Sequence, residues 1–340
     1  MRDLVVAGGG PVGLAAALYA ARAGLDVVVR EPRPGVLDKA CGEGLMPGAV
    51  DRLALLGVRP TGHRLAGIRY LDARHEVEAP FRHGTGLGVR RTTLHAALRA
   101  AVSAAGVEVT GPAVHEVTQH GDHLVVDGEP ARHLIAADGL HSPVRRLVGL
   151  ESVPVRLRRY GQRVHLDLPP WTPYVEVHWG GCAEAYVTPV APDQVGLAIL
   201  TTQRRPFLDL LAEFPVLAAR VAGRPTSRVR GAGPLRQRVR RRVSGRVLLV
   251  GDAAGYVDAL TGDGLAVGLA QAEAAVAAVA AGRPADYETV ARRLGRRHDL
   301  LTLGLVSATR APVVRRRIVG AAHRLPGLFG AAVDQLARPV

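Results

Sequence analysis

The chain has 340 residues, 48% hydrophobic and 4% aromatic, which allows a large core built mostly from Ala, Val and Leu and excludes a disordered chain. Two cysteines, Cys41 and Cys182, are too few for a disulfide framework and favour a reducing compartment. The net charge is +14, yet Lys39 is the only lysine. Positive charge carried almost wholly by arginine reads as a solvated surface with a coding bias, not as a nucleic-acid interface, and leaves contact with an anionic membrane open.

Residues 5–13 read V-V-A-G-G-G-P-V-G. This predicts a strand, a tight turn and an alanine-rich helix over 14–23. Gly8 permits the sharp turn, Gly10 lets backbone approach a pyrophosphate, and Gly13 lets helix and strand pack closely. The helix start offers free N–H groups and the positive end of its dipole to phosphate. A second apolar run ends at Glu31, 23 residues after Gly8, where a carboxylate can accept a ribose hydroxyl. A dinucleotide site is therefore expected at the N-terminal βαβ unit. Gly and Pro at 8–11 break the apolar helix that a secretory leader needs, and Asp3 is foreign to its basic start. No apolar run reaches about 18 residues, so a spanning helix is not expected, and the two cysteines make a reducing cytoplasm the expected location.

Further along comes Cys41-Gly42-Glu43-Gly44-Leu45. Glu43 reads as a solvated loop carboxylate or a candidate acid. Residues 63–81 could add strands to a later sheet. The second of three apolar runs closed by a Gly/Asp pair ends in Asp138-Gly139, within L-I-A-A-D-G-L-H-S-P-V-R-R (134–146). Segments 163–168, 174–179, 184–190 and 194–201 alternate with period two between Pro/Gly turns, which predicts an antiparallel sheet. A third run, 245–250, ends in Gly251-Asp252-Ala253-Ala254. A helix is predicted over 265–281, stopped by Gly282 and Pro284. The remainder reads as helices with basic clusters at 292–297 and 315–317.

The expected fold class is α/β. A discontinuous Rossmann-type nucleotide domain (1–62 with 82–152 and 240–285) is interrupted by an antiparallel-sheet substrate domain (63–81 with 153–239). A C-terminal helical segment (286–340) follows. No H-E-x-x-H or cysteine cluster occurs, so no metal site is expected. Ser142 is not in a nucleophile elbow, and Lys39 lacks the glycines of a phosphate loop. His63, His75, His83, His115, His120, His123 and His133 have no ligand spacing and read as surface or loop residues.

The three Gly/Asp punctuation points, in this order and spacing, resemble the FAD-dependent oxidoreductases that include aromatic hydroxylases of the para-hydroxybenzoate hydroxylase type and geranylgeranyl reductases. The resemblance covers most of residues 1–285. It implies FAD as cofactor, with Gly8, Gly10, Gly13 and Glu31 on its ADP half and either Arg90 or Arg91 in contact with it. Asp138 and Gly139 would lie near the pyrophosphate, with Ser142 and Arg145 behind them. Asp252, after Gly251, would meet the ribityl chain, unless it merely caps a helix. Gly262 and Gly264 would bring backbone N–H groups to the flavin ring. Cys41 is either a flavin-side catalytic residue or a small buried one. Gly42, Tyr160, Gln162, His165, Trp179, Tyr186 and Pro189 are substrate-side candidates.

The resemblance points to two branches. Gly255, Thr261-Gly262-Asp263-Gly264 and Cys41-Gly42-Glu43-Gly44-Leu45 are similar to the reductases. Arg91, Leu94 and Leu98, spaced Arg-x-x-Leu-x-x-x-Leu, are similar to the hydroxylases. Gly255, Ala259 and Ala266 stand where hydroxylases carry His, Pro and Asn. The expected activity is NAD(P)H-dependent hydroxylation of a small apolar or aromatic metabolite through a flavin hydroperoxide. The alternatives are reduction of isoprenoid or lipid double bonds, with the basic C-terminal helices resting on the inner membrane face, and a flavin-binding protein without turnover.

Overall fold

Five parallel strands form the centre of the first sheet, in the order Val247–Leu249, Glu129–Ala136, Arg2–Ala7, Val27–Arg30, Glu108–Thr110. The computed structural model describes residues 1–153, 158–224 and 226–338. Leu4 to Ala7 and Val27 to Arg30 are buried on both faces, as near-continuous apolar strands in a parallel sheet must be. Helices Pro11–Arg22, Arg91–Ala104 and Gly264–Ala280 cover one face. The hairpin Val117–Gln119/Leu124–Val126 and the short helix Pro143–Leu147 pack on the other. His133 is a correction to the histidine reading. It pairs in register with Leu4 on a central strand and is buried, and that burial lowers its pKa.

The second sheet runs Arg230–Ala232, Tyr160–Leu166, Gln194–Thr201, Ala183–Ala191, Tyr174–Trp179, Gly67–Leu71, Glu76–Pro80. Its neighbours are antiparallel except Tyr174–Trp179 with Gly67–Leu71. The alternating segments form its centre, as the period-two pattern predicts. Residues 67–71 and 76–80 join it. His63–Leu65 instead pairs with Gly86–Gly88 in a three-stranded sheet that also holds Gly44–Leu45. Glycine makes that close approach feasible, because a Cβ on Gly88 would lie 1.7 Å from the Pro189 carbonyl.

Helices Phe207–Leu211 and Pro215–Val221 cover one face of the second sheet. Residues of the C-terminal helices Asp286–Ala308, Pro312–Arg324 and Pro326–Ala337 cover part of the other, where Val306, Val319, Phe329 and Val333 meet Ile68, Val77 and Trp179. Among the described residues no helix is long and apolar enough to cross a membrane.

Candidate functional site

Four motifs far apart in the chain meet at one edge of the first sheet. Gly8 follows strand Arg2–Ala7, Glu31 follows Val27–Arg30, Asp138 follows Glu129–Ala136, and Gly251-Asp252 follows Val247–Leu249. All four strands are parallel neighbours, so the motifs share their carboxyl ends, where open α/β sheets bind ligands.

The glycine turn has the shape the spacing predicts. Gly8 has φ +103°, and a Cβ there would meet the Ala137 carbonyl at 2.6 Å. A Cβ on Gly13 would sit 1.9 Å from the Gly8 carbonyl. A Cβ on Gly10 would meet nothing within 4 Å. Gly10 is also the N-cap of helix Pro11–Arg22 and offers no capping side chain. Its first-turn amides are therefore available to an anion.

Two side chains hold this turn. The Gly9 amide donates to Glu31 Oε2 at 2.9 Å, and Arg33 donates to both Glu31 oxygens. Burial alone would raise the Glu31 pKa. The Arg33 and Gly9 hydrogen bonds outweigh it and leave the carboxyl below its ordinary range. On the far side His95 Nε2 donates to the Gly9 carbonyl at 2.9 Å, while its Nδ1 accepts from the Leu37 amide at 3.2 Å. Burial lowers the His95 pKa, in keeping with this neutral tautomer. Sequence reasoning missed His95. Its only signal is an inward position on an amphipathic helix, one residue after Leu94.

Asp138 accepts from the Val144 amide at 3.0 Å through Oδ2, and its buried Oδ1 has no partner. Burial raises its pKa against the opposing Ser142, Val144 and Arg145 interactions. Gly139 follows with φ +87°. The fully buried Arg145 donates to the Leu140 and Ala253 carbonyls at 3.0 and 3.1 Å, which ties the Asp138 and Asp252 motifs together. Ser142 caps the helix below by accepting from the Arg145 amide. Asp252 sits half-buried in the 3-10 turn Gly251–Ala254, and the described residues give its carboxylate no hydrogen bond, so it caps no helix. Gly262 and Gly264 flank Asp263 at the start of helix Gly264–Ala280.

The Cys41 loop enters from the small sheet. Cys41 is half-buried, and its Sγ accepts from the Glu43 amide at 3.4 Å. Glu43 departs from the solvated reading. Its φ of +59° turns the side chain inward, where it is 3% exposed. There Oε1 accepts from the Arg91 amide at 2.8 Å and Oε2 from His165 Nε2 at 2.7 Å. His165 in turn contacts Arg163, which pairs with Asp38. Glu43 thus joins the cysteine loop, the second sheet and the start of helix Arg91–Ala104. Arg90 and Arg91 both remain candidates, because the Nε of each is buried without a partner.

The substrate-side candidates separate into three places. Tyr160 and Gln162 line a cleft of about 740 Å³ between the two sheets, with Lys39, Asp138, His141 and Arg204. Arg204 stacks on the Tyr160 ring at 4.7 Å. Gly42 and Pro189 lie together at the small sheet, where Thr188 Oγ1 donates to the Gly42 carbonyl at 2.8 Å. Trp179 and Tyr186 pack toward the C-terminal helices, with Tyr70 5.4 Å from Trp179 and 4.6 Å from Phe329. Tyr186 also donates to the Leu260 carbonyl at 3.2 Å. Beside it lies a buried ion cluster. Arg159 pairs with Glu184 at 2.7 Å and Asp258 at 3.0 Å, and Arg315 pairs with Glu184 at 2.6 Å. Burial, partly offset by Arg159, pushes the Asp258 carboxyl up to about 6.

These features suit FAD. Gly10 leaves room for a pyrophosphate, the adjacent helix start is uncapped, Arg90 and Arg91 bring unpaired donors, and Asp252 is an acceptor free for a polyol. The profile of the FAD binding domain family matches residues 1–205. The chain belongs to this family and is an FAD-dependent oxidoreductase.

It is 31% identical over 320 residues to the menaquinone reductase of Mycolicibacterium smegmatis, covering 84% of this chain and 78% of that protein. It is also 31% identical over 297 residues to digeranylgeranylglycerophospholipid reductase 1 of Methanopyrus kandleri, covering 77% and 76%. Among solved structures, a geranylgeranyl bacteriochlorophyll reductase-like protein of Thermoplasma acidophilum superposes with TM-score 0.77 at 20% identity, covering 94% of this chain and 90% of that one. The flavin-dependent halogenase CmlS superposes with TM-score 0.79 at 18% identity, and the match covers 88% of this chain but 63% of the halogenase. At those identities the structural likeness speaks for the fold.

Proposed function

We propose that this chain is a reductase of a prenylated, lipid-like substrate and draws its electrons from NAD(P)H. The observation that carries the reading is the likeness to a menaquinone reductase over 320 residues, which spans both sheets. The reductase-like Cys41–Leu45 loop and Thr261–Gly264 turn agree with it. For this reason we place reduction ahead of hydroxylation, which the sequence had put first.

FAD, when bound, supplies hydride transfer. The chain's own residues bind and orient. In this reading the uncapped start of helix Pro11–Arg22 would receive the pyrophosphate, Arg90 or Arg91 would offset its charge, and Asp252 would accept from the sugar alcohol. Glu43 ties the cysteine loop to the Arg91 amide and His165, and Thr188 holds the Gly42 carbonyl, which would keep this loop in place were the flavin ring to lie beside it. Lys39 and Arg204 give the inter-sheet cleft two cations suited to the phosphates of NAD(P)H. Val313, Val314, Leu325 and Leu328 are exposed on the C-terminal helices among Arg310, Arg316, Arg317 and Arg324. Exposed apolar residues beside exposed arginines suit a membrane that stores the substrate.

The test is an anaerobic assay of the FAD-loaded protein with NADPH and, separately, with dithionite. The substrates are a prenylated quinone and a geranylgeranyl lipid. Products that gain two hydrogens without oxygen support the reading. Products that appear only in air, with an added oxygen atom, replace it with hydroxylation.

A further inference from the structure

The turn Thr261-Gly262-Asp263-Gly264 is gripped by two side chains of the C-terminal helix Asp286–Ala308. His298 Nδ1 lies 2.5 Å from Asp263 Oδ1, and Thr302 Oγ1 lies 2.8 Å from Thr261 Oγ1. His298 and Thr302 are four residues apart, so both project from one helix face. Their spacing matches Thr261 and Asp263, two residues apart on the turn. All four side chains are buried. The other imidazole nitrogen, Nε2, makes no hydrogen bond with the described residues. His298 also lines a cavity of about 220 Å³ that reaches Asp252 and Gly264.

The charged groups around the ring are Asp263 and Asp252 from the cofactor-side loops, Asp299 from its own helix, and Arg236, Arg238 and Arg242 across the cavity. Burial works against a charged imidazole. The Asp263 hydrogen bond, with Asp299 and Asp252, outweighs it and raises the His298 pKa.

We propose that His298 is a positioning residue for FAD, which as an imidazolium pins Asp263 so that the Gly262–Gly264 backbone is held where the flavin is received. The inference rests on FAD lying at the carboxyl ends of the parallel strands. It does not depend on which substrate is reduced. When the Nε2 proton leaves, Nδ1–H still donates to Asp263 but the charge of the ion pair is lost, so the turn is held less tightly, with the Thr261–Thr302 bond unchanged. Cofactor affinity then falls as pH rises through the raised His298 pKa.

The experiment titrates apoprotein with FAD from pH 6 to 9, with flavin fluorescence as readout. For the wild type the dissociation constant is flat at low pH and then climbs by up to about tenfold per pH unit, the limit for one linked proton. His298→Gln keeps a donor but cannot titrate, so its affinity is flat and matches the wild type at high pH. Thr302→Val weakens binding by a similar factor at every pH. An unaltered pH profile in H298Q overturns the proposal. Should H298Q fail to fold, the wild-type imidazole is read by ¹⁵N NMR in the holoprotein. A His298 that is neutral below pH 7 overturns the proposal, and one that stays charged above pH 7 supports it. Failure of the wild type to bind FAD at any pH would instead overturn the cofactor site itself.

Discussion

His95 and Glu31 hold Gly9 from opposite sides, the imidazole on its carbonyl at 2.9 Å and the carboxylate on its amide at 2.9 Å. The glycine turn therefore depends on a helix 86 residues away as well as on the next strand. His95→Ala leaves the Gly9 carbonyl and the Leu37 amide without partners in a buried place. The expected cost is about 1–3 kcal/mol per unsatisfied group, read by urea denaturation, with weaker FAD binding in the same preparation.

Gly10 and Gly13 make opposite predictions under the same substitution. Gly10 has φ −70°, which alanine adopts freely, and open space around it. Gly10→Ala should fold with stability within about 0.5 kcal/mol of wild type, yet lose FAD affinity by at least roughly tenfold, because the added methyl would occupy the proposed approach of the pyrophosphate. Gly13→Ala forces its methyl into the Gly8 carbonyl and should lower the melting temperature even without cofactor. A Gly10→Ala protein that binds FAD normally would remove the pyrophosphate from this turn.

The Arg159–Glu184–Asp258–Arg315 cluster links the second sheet to the C-terminal helix Pro312–Arg324. Glu184→Ala leaves two buried guanidinium groups short of their shared carboxylate. Breaking one partner of a buried pair costs about 3–5 kcal/mol. Denaturation with urea should show a loss of that order, and Glu184→Gln a smaller one.

Asp258 gives the cluster a pH dependence with a definite sign. Its folded pKa, about 6, lies above the ordinary 3.8, so the protonated form is favoured by folding. Its contribution to stability is full below the ordinary value and is lost as pH rises toward 6. Melting temperatures measured between pH 4 and 7 should fall less steeply with rising pH in Asp258→Asn than in the wild type. An identical slope would assign the dependence to other groups.

Exposure of Val313, Val314, Leu325 and Leu328 among exposed arginines predicts binding to anionic lipid vesicles and not to zwitterionic ones, weakened by salt. Val313→Asp combined with Leu328→Asp should reduce cosedimentation and leave FAD binding intact.

Much of the first sheet was legible because its signals are local. Gly8, Gly10 and Gly13 declare a turn, and the apolar runs ending at Glu31, Asp138 and Asp252 declare strand ends. The alternation over 174–179 and 194–201 likewise marked the second sheet directly. What escaped notice depends on partners distant in the chain. Glu43 looks solvated until His165 and the Arg91 amide are placed beside it. His95 and His298 look like ordinary helix residues until Gly9 and Asp263 arrive. Trp179 and Tyr186 were grouped with Tyr160 because alternation gives a face but not a neighbour. Phe329 and Val333, from the far end of the chain, cover Trp179 instead.

The four strand ends that frame the proposed cofactor site come from residues as distant as 7 and 249. During synthesis the ribosome must therefore release Asp252 and the helix behind it before the last of these strand ends can meet the prosthetic group. Supply of that group during translation should consequently rescue few early misfolding events, and a fragment ending near residue 205 should remain colourless.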